Sequence, residues 1–301
     1  MRRLIALLLC TALLVTAAFS ASYFPQPYPH YDVRTDLSVH FTNSDAIIAH
    51  IRRAMKNRDD TIIINYRSHA DNMSDLGAIV RELMAYANAE TDDPEEGDYL
   101  FQQYGGYEMQ YSYRKEADEY CYELRITPDY YSTAAQEDMV RERVQSLIRE
   151  WDFSRSTDDF EKVQTVCDYV AAHVDYDRIH MKNEHYHLKS TAYGALVNGY
   201  ALCQGYAVTV YRLLRECGVP CRVITGEAEK PDGTAESHAW NLVCLGGLWY
   251  QLDVTWNDQL ETDAYFLCGT SDFPKHTPDA AYADAAFFAQ YPHAESRYIG
   301  G

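Results

Sequence analysis

Gly246-Gly247 stands between two alternating runs, His238 to Leu245 and Leu248 to Trp256, and this arrangement constrains the fold more than any other stretch of the chain. Adjacent glycines accept the positive φ of a tight hairpin turn, and period-two alternation marks half-buried strands. A two-residue loop sets Leu245 opposite Leu248, which predicts Trp240 opposite Asp253 and His238 opposite Thr255. Opposed side chains share a face, as do positions two apart on one strand. His238 and Asp253 are therefore predicted to project from one face as diagonal neighbours, roughly 7–8 Å apart at the backbone. A three-residue loop would reverse the parity and separate them.

The segment upstream, Cys203 to Glu216, reads as a helix: Ala207, Val210, Tyr211 and Leu214 recur on one face, and Gly218 is placed to stop it. Cys203 then lies at or just before the helix N-terminus, where unpaired N–H groups and the positive dipole end stabilise a thiolate and can bind a developing oxyanion. Gly205 lets another segment approach closely. A thiolate nucleophile needs an imidazole to take its proton, and that imidazole needs an acceptor to fix its tautomer. Cys203, His238 and Asp253 supply these groups in order within about fifty residues. Trp240, Trp249 and Trp256 are expected to wall the site.

The pattern G-x-A-x-C-Q-G-Y-A around Cys203, then H-A-W-N from His238, then W-Y-x-L-D-x-T-W-N-D around Asp253, resembles the transglutaminase-like superfamily of papain-fold cysteine enzymes, in its bacterial exported branch. The resemblance runs from Phe160 to Phe266. It implies an α+β fold, a papain-like transglutaminase core of helices plus an antiparallel sheet; the small α/β domain expected before it, Leu37 to Thr127, lies outside the resemblance. It also implies Cys203 as nucleophile, His238 as general base and then acid, Asp253 as orienting partner, and an acyl-enzyme formed from an amide carbonyl. Tyr176-Asp177 resembles the family's tyrosine-aspartate step before the catalytic helix. Trp240, Trp256, Tyr193 and Gln204 are the candidate substrate-binding residues. Tyr193, Asn198 and Gln204 are also candidates for a second oxyanion donor. The mechanism calls for no metal or organic cofactor.

The N-terminus opens with Met1-Arg2-Arg3, an apolar run from Leu4 to Phe19, and small residues at Ala18, Ser20 and Ala21, the order of a secretory signal peptide. Cys10 invites a lipoprotein reading, which Leu9 before it fits poorly. Removal of residues 1–21 leaves a net charge near −21, which argues against nucleic acid and anionic membranes as partners. Seven cysteines remain, Cys121, Cys167, Cys203, Cys217, Cys221, Cys244 and Cys268, an odd number that leaves at least one free thiol. Cys217–Cys221 is the most local disulfide option; small buried hydrophobes is the equal alternative. His180, His185 and His187 could hold a metal, but no cysteine or HExxH pattern accompanies them, and a polar rim or solvated loop is the expectation.

After a Pro- and Tyr-rich linker, Tyr23 to Tyr31, strands are expected at Leu37–Phe41 and Thr61–Tyr66, and helices at Asp45–Lys56, capped by Asn43 or Ser44, and Leu76–Asn88. An acidic loop follows, Thr91 to Asp98, then strands Tyr107–Tyr113 and Tyr120–Thr127 joined by a turn around Glu116 to Asp118. Nine of the 33 residues from Tyr99 to Tyr131 are tyrosine, read as strand preference before a recognition surface. Beyond Pro128, helices are expected at Ala134–Trp151, with Met139, Val140, Val144, Leu147 and Ile148 inward, and from Thr157 or Asp158 to His173. The expected organisation is a signal peptide over 1–21, an N-terminal α/β domain over 35–130, and a catalytic domain over 131–301. The functional expectation is a secreted or cell-surface cysteine peptidase-like hydrolase acting on a protein or peptide substrate, cell-envelope-associated substrates included. The alternatives are a protein-glutamine gamma-glutamyltransferase that cross-links, or a non-catalytic surface binding module.

Overall fold

The computed structural model describes residues 44–300, apart from 155, 231 and 232. The expected signal peptide, the linker and the Leu37–Phe41 strand lie outside the described residues.

The first layer pairs two helices with a small sheet. α1 (Ser44–Lys56) and α2 (Leu76–Ala87) pack on strands β1 (Ile62–Ser68), β2 (Tyr104–Glu116) and β3 (Glu119–Tyr130), which form an antiparallel sheet of order β1-β3-β2. β1 buries alternate residues, Ile62, Ile64 and Tyr66, against Ile51, Met55, Leu83 and Met84. Both β2 and β3 run longer than the alternation predicts, because the turn shrinks to Ala117 and Asp118, with Ala117 in the left-handed region (φ 54). The tyrosine-rich stretch lies in these strands and their flanks, where Tyr66 stacks on Tyr122 at 4.8 Å.

The second layer begins with α4 (Ala134–Trp151), after a single helical turn, α3 (Asp98–Phe101). Thr133 and Gln136 form a reciprocal capping box at the start of α4. Met139, expected inward, is 45% exposed, since the buried stripe runs through Val140, Val144 and Leu147. α5 (Asp159–His173) is capped by Asp158, which accepts from Glu161 N at 2.8 Å. β4 (Asp175–Tyr176) and β5 (Tyr200–Ala201) form a short parallel pair that leads into α6 (Cys203–Glu216).

The second sheet has the order β8-β7-β6-β9, all antiparallel: β6 (Cys221–Glu229), β7 (Ala235–Leu245), β8 (Leu248–Leu252) and β9 (His276–Pro278). Gly246 and Gly247 both take positive φ, 61 and 84, and Leu245 pairs with Leu248 as the two-residue turn requires. The ladder stops at Asn241–Leu252, however. The expected continuation to Trp256 is replaced by α7 (Val254–Gln259), because the Asp253 side chain caps it by accepting from Trp256 N at 3.0 Å. Trp240–Asp253 and His238–Thr255 are consequently not ladder pairs.

An acidic segment fastens the two layers. Asp98 accepts from the buried Arg222 guanidinium at 2.7 and 3.0 Å and from Val223 N at 2.7 Å. Glu95 meets Arg141 and Arg212, and Arg58 forms a buried pair with Glu137 at 3.0 Å. The expected acidic loop therefore also serves as a clamp between cores.

Candidate active site

Cys203 is the first residue of α6, and the preceding Leu202 provides no side-chain cap. The first-turn N–H groups of Cys203, Gln204 and Gly205 therefore lie beyond the reach of intrahelical acceptors. Gly205 is needed for packing: a Cβ there would stand 2.6 Å from Ala201 Cβ and 2.9 Å from Lys189 O. The crossing segments fix where the helix begins, and Cys203 itself stays partly open to solvent.

His238 is buried on β7, paired on its other side with Gly226 of β6. Its Nε2 lies 2.7 Å from Asp253 Oδ2, and the Cys203 sulfur stands close enough to the same ring to favour its charged form. Leaving the ladder does not separate His238 from Asp253; the cap of α7 aims the carboxylate at the imidazole. Burial lowers the basicity of His238, but the Asp253 carboxylate, and then Cys203, outweigh it and hold the imidazole up to about 10. Burial likewise opposes ionisation of Asp253, yet charge and hydrogen bonds from His238 and His276 bring it down to about 2. The favoured state at neutral pH is a buried imidazolium–carboxylate pair beside the Cys203 sulfur.

Among the other cysteines, burial pushes Cys217 up to about 12 and Cys268 up to about 11, and it raises Cys167, Cys221 and Cys244 as well. All seven described cysteines are free thiols. The Cys217–Cys221 disulfide is not formed, because Cys221 opens β6 with its sulfur between Arg222 O and Asn241 Nδ2, at 3.6 Å from each.

The candidate substrate-binding residues divide. Trp240 is 2% exposed, donates from Nε1 to Gln251 Oε1 at 2.7 Å and lies 6.1 Å from the His238 ring, so it backs the imidazole without offering a surface to substrate. Trp256 is half-buried, 5.6 Å from His238. Gln204 donates to Gln102 O at 2.6 Å, which ties the amide to the first layer. Tyr193 packs half-buried on the main core. Tyr176, with its phenol pushed up by burial and then by Cys203, stands beside the thiol, while Asp177 accepts from His180 N and from His180 Nδ1, each at 2.9 Å. The histidine cluster is dispersed: His180 stacks on Tyr186 and His187 on Tyr131.

His276 is the site residue that the sequence pattern does not reveal. It lies 23 positions beyond Asp253, and its Nε2 is 3.0 Å from the same Oδ2 that meets His238. His238, Asp253 and His276 have ligand atoms within 4.8 Å of one another, which makes them the metal-capable group among the described residues. A zinc ion with bonds of about 2.0–2.1 Å holds tetrahedral ligands more than 3 Å apart, so the 2.7 and 3.0 Å contacts fit direct hydrogen bonds better.

Residues 150–254 match the core model of the transglutaminase-like superfamily, an interval that contains Cys203, His238 and Asp253. No curated protein matches the chain. Among solved structures, the chain is similar to a TGase, with 21% identity over 48% of this chain and 43% of that one, at a TM-score of 0.33. The chain thus spans less than half the length of that TGase. It is also similar to a candidate cysteine protease from Cytophaga hutchinsonii, with 13% identity over 60% of this chain and 69% of that one, at a TM-score of 0.32.

Proposed function

We propose, from the match of residues 150–254 to the transglutaminase-like superfamily, that the protein is an exported cysteine hydrolase of protein or peptide amide bonds. The observation that carries the reading is the shared histidine: one imidazole beside the sulfur that starts α6 and, at 2.7 Å, against a buried carboxylate. Its proton is poised for transfer, and its orientation is set by Asp253.

In the first half-reaction the Cys203 thiolate attacks the amide carbonyl carbon, and the electron pair of the C=O bond moves onto oxygen. First-turn N–H groups of α6 are in place to receive that oxyanion. Collapse breaks the C–N bond, His238 gives its proton to the departing amine, and a thioester remains on Cys203. In the second half-reaction His238 takes a proton from water as the water attacks the thioester; the acid departs and the thiolate is restored. The partial exposure of Cys203 favours water over an incoming lysine, because amine transfer depends on keeping water out. Export rests on the basic, apolar and small-residue order of residues 1–21.

A cysteine-directed activity probe applied to wild type and Cys203→Ala, followed by a peptide-library and amine-incorporation screen, tests this. Labelling confined to Cys203 with cleavage of peptides is expected. Amine incorporation without cleavage would overturn hydrolysis in favour of cross-linking. A Cys203 that ignores the probe would leave the binding module as the better account.

A further inference from the structure

Asp253 carries a second imidazole on the oxygen that serves His238. His276 opens β9, which docks on the edge of β6 at the place where Gly226 faces His238. That docking needs glycine, since a Cβ at position 226 would lie 2.2 Å from Thr277 O. The His276 side chain is 1% exposed. Its Nε2 faces Asp253 Oδ2 at 3.0 Å and its Nδ1 faces Pro274 O at 2.9 Å. A carboxylate and a carbonyl are both acceptors, so each ring nitrogen is placed to donate. Around it stand Phe273 at 4.1 Å, stacked on the imidazole, Trp256 at 4.6 Å, Trp240 at 5.1 Å and Tyr265 at 5.5 Å, an aromatic cage that keeps water from the ring.

Charge balance gives this arrangement a purpose. In the thiolate–imidazolium state that the proposed function requires, Cys203 and His238 cancel, and Asp253 is left as a buried anion. An unbalanced buried charge is costly, and a second cation on the same oxygen removes the imbalance. A carboxylate anchored by Trp256 N on Oδ1 and His276 on Oδ2 also cannot swing away from His238.

We propose that His276 is a positioning residue, whose imidazolium neutralises and anchors the Asp253 carboxylate and so holds His238 in the orientation that serves Cys203. The inference rests on the catalytic reading above and extends the site beyond residue 254, where the family match ends. The titratable groups that face His276 are Asp253, His238 and Tyr265; its neighbour Lys275, and Glu227 and Glu229 of β6, are exposed. Loss of the cation raises the pH at which both partners titrate. Across the 5.5 Å between the two histidine rings the rise is about one to two pH units.

The test compares wild type, His276→Gln and His276→Phe. Iodoacetamide alkylation of Cys203 is followed against pH, His238 is titrated by NMR, and thermal melts show that each variant is folded. Glutamine keeps one donor without charge; phenylalanine fills the cage with neither. Both variants should titrate about one to two units higher, and His276→Phe should also lose about ten- to a hundredfold in alkylation rate at neutral pH, with His276→Gln closer to wild type. Unshifted titration in both variants would overturn the proposal, as would a rate loss in His276→Phe with no pH displacement, the mark of a space-filling role. A wild-type Cys203 that fails to alkylate would instead overturn the catalytic reading, so the two failures are distinct.

Discussion

Asp253→Asn removes one charge and almost no volume, and the geometry says how much should follow. Oδ1 of Asp253 accepts from Trp256 N, and Oδ2 accepts from both His238 and His276. Asparagine has one oxygen for these three donors. If it keeps the cap of α7, its NH2 faces two ring N–H groups; if it turns, the cap is lost. The carboxylate, together with Cys203, lifts His238 from 6.5 to about 10, which corresponds to on the order of 5 kcal/mol. Without it, burial prevails and the midpoint of His238 should fall by about two units or more. The sign of the stability effect follows. A raised His238 stabilises the fold below 6.5 and loses that contribution as pH rises through about 10. A depressed Asp253 stabilises it above 3.8 and loses that as pH falls through about 2. The wild-type advantage over the variant should therefore be greatest between pH 4 and 6.5, about 3–5 kcal/mol for a buried pair that loses one partner. Catalytic turnover should drop about 10^3- to 10^4-fold and not vanish, because the base remains while its tautomer and orientation are disturbed. Long-range 1H–15N spectra of histidine-labelled protein read the midpoint, and urea unfolding at pH 5 and pH 9 reads the stability. An unchanged His238 midpoint in the variant would refute the reasoning.

Glu90 is buried beside Asp98, and burial first, then that charge, raise it to about 7. The neutral form therefore favours folding and its contribution is lost as pH rises through 7, so Glu90→Gln should raise Tm at pH 8 and leave it unchanged at pH 5; an equal effect at both would refute this. Gly205→Ala should cost about 1–3 kcal/mol in urea unfolding, because the new Cβ has no room beside Ala201 and Lys189 O, and an undiminished midpoint would deny the close approach. Arg58→Met leaves Glu137 buried with Ser132 and Tyr99 but without its cation, and should cost about 3–5 kcal/mol; Arg58→Met with Glu137→Leu should recover much of that, and a double variant no more stable than the single would contradict the pairing.

What could be read from the chain alone is what short-range chemistry dictates. Gly246-Gly247 has one economical turn, so the register through Asn241–Leu252 follows from parity. Thr133–Gln136 and Asp158 announce their helices because a cap is satisfied three residues away. The end of β8 was not legible for a related reason: Asp253 can extend a strand or cap a helix, and residues 249–256 alternate well enough to hide the choice. The decision comes from Tyr265, whose carbonyl holds Asp253 N at 3.0 Å, and from the histidines that need its side chain turned inward. The acidic loop from Thr91 to Asp98 was legible as a loop but its clamping role was not, because its partners, Arg141, Arg212 and Arg222, lie far along the chain. His276 sits in Phe273-Pro274-Lys275-His276-Thr277, a stretch without periodicity or motif, and acquires meaning only when β9 reaches the edge of β6. Parity placed His238 and Asp253 near each other, and the hydrogen bond between them is nevertheless made by a different route, through a helix cap rather than a strand pair. Two independent local constraints, the turn and the cap, therefore converge on one contact, and a variant that lengthens the Gly246-Gly247 loop by one residue attacks only the first of them.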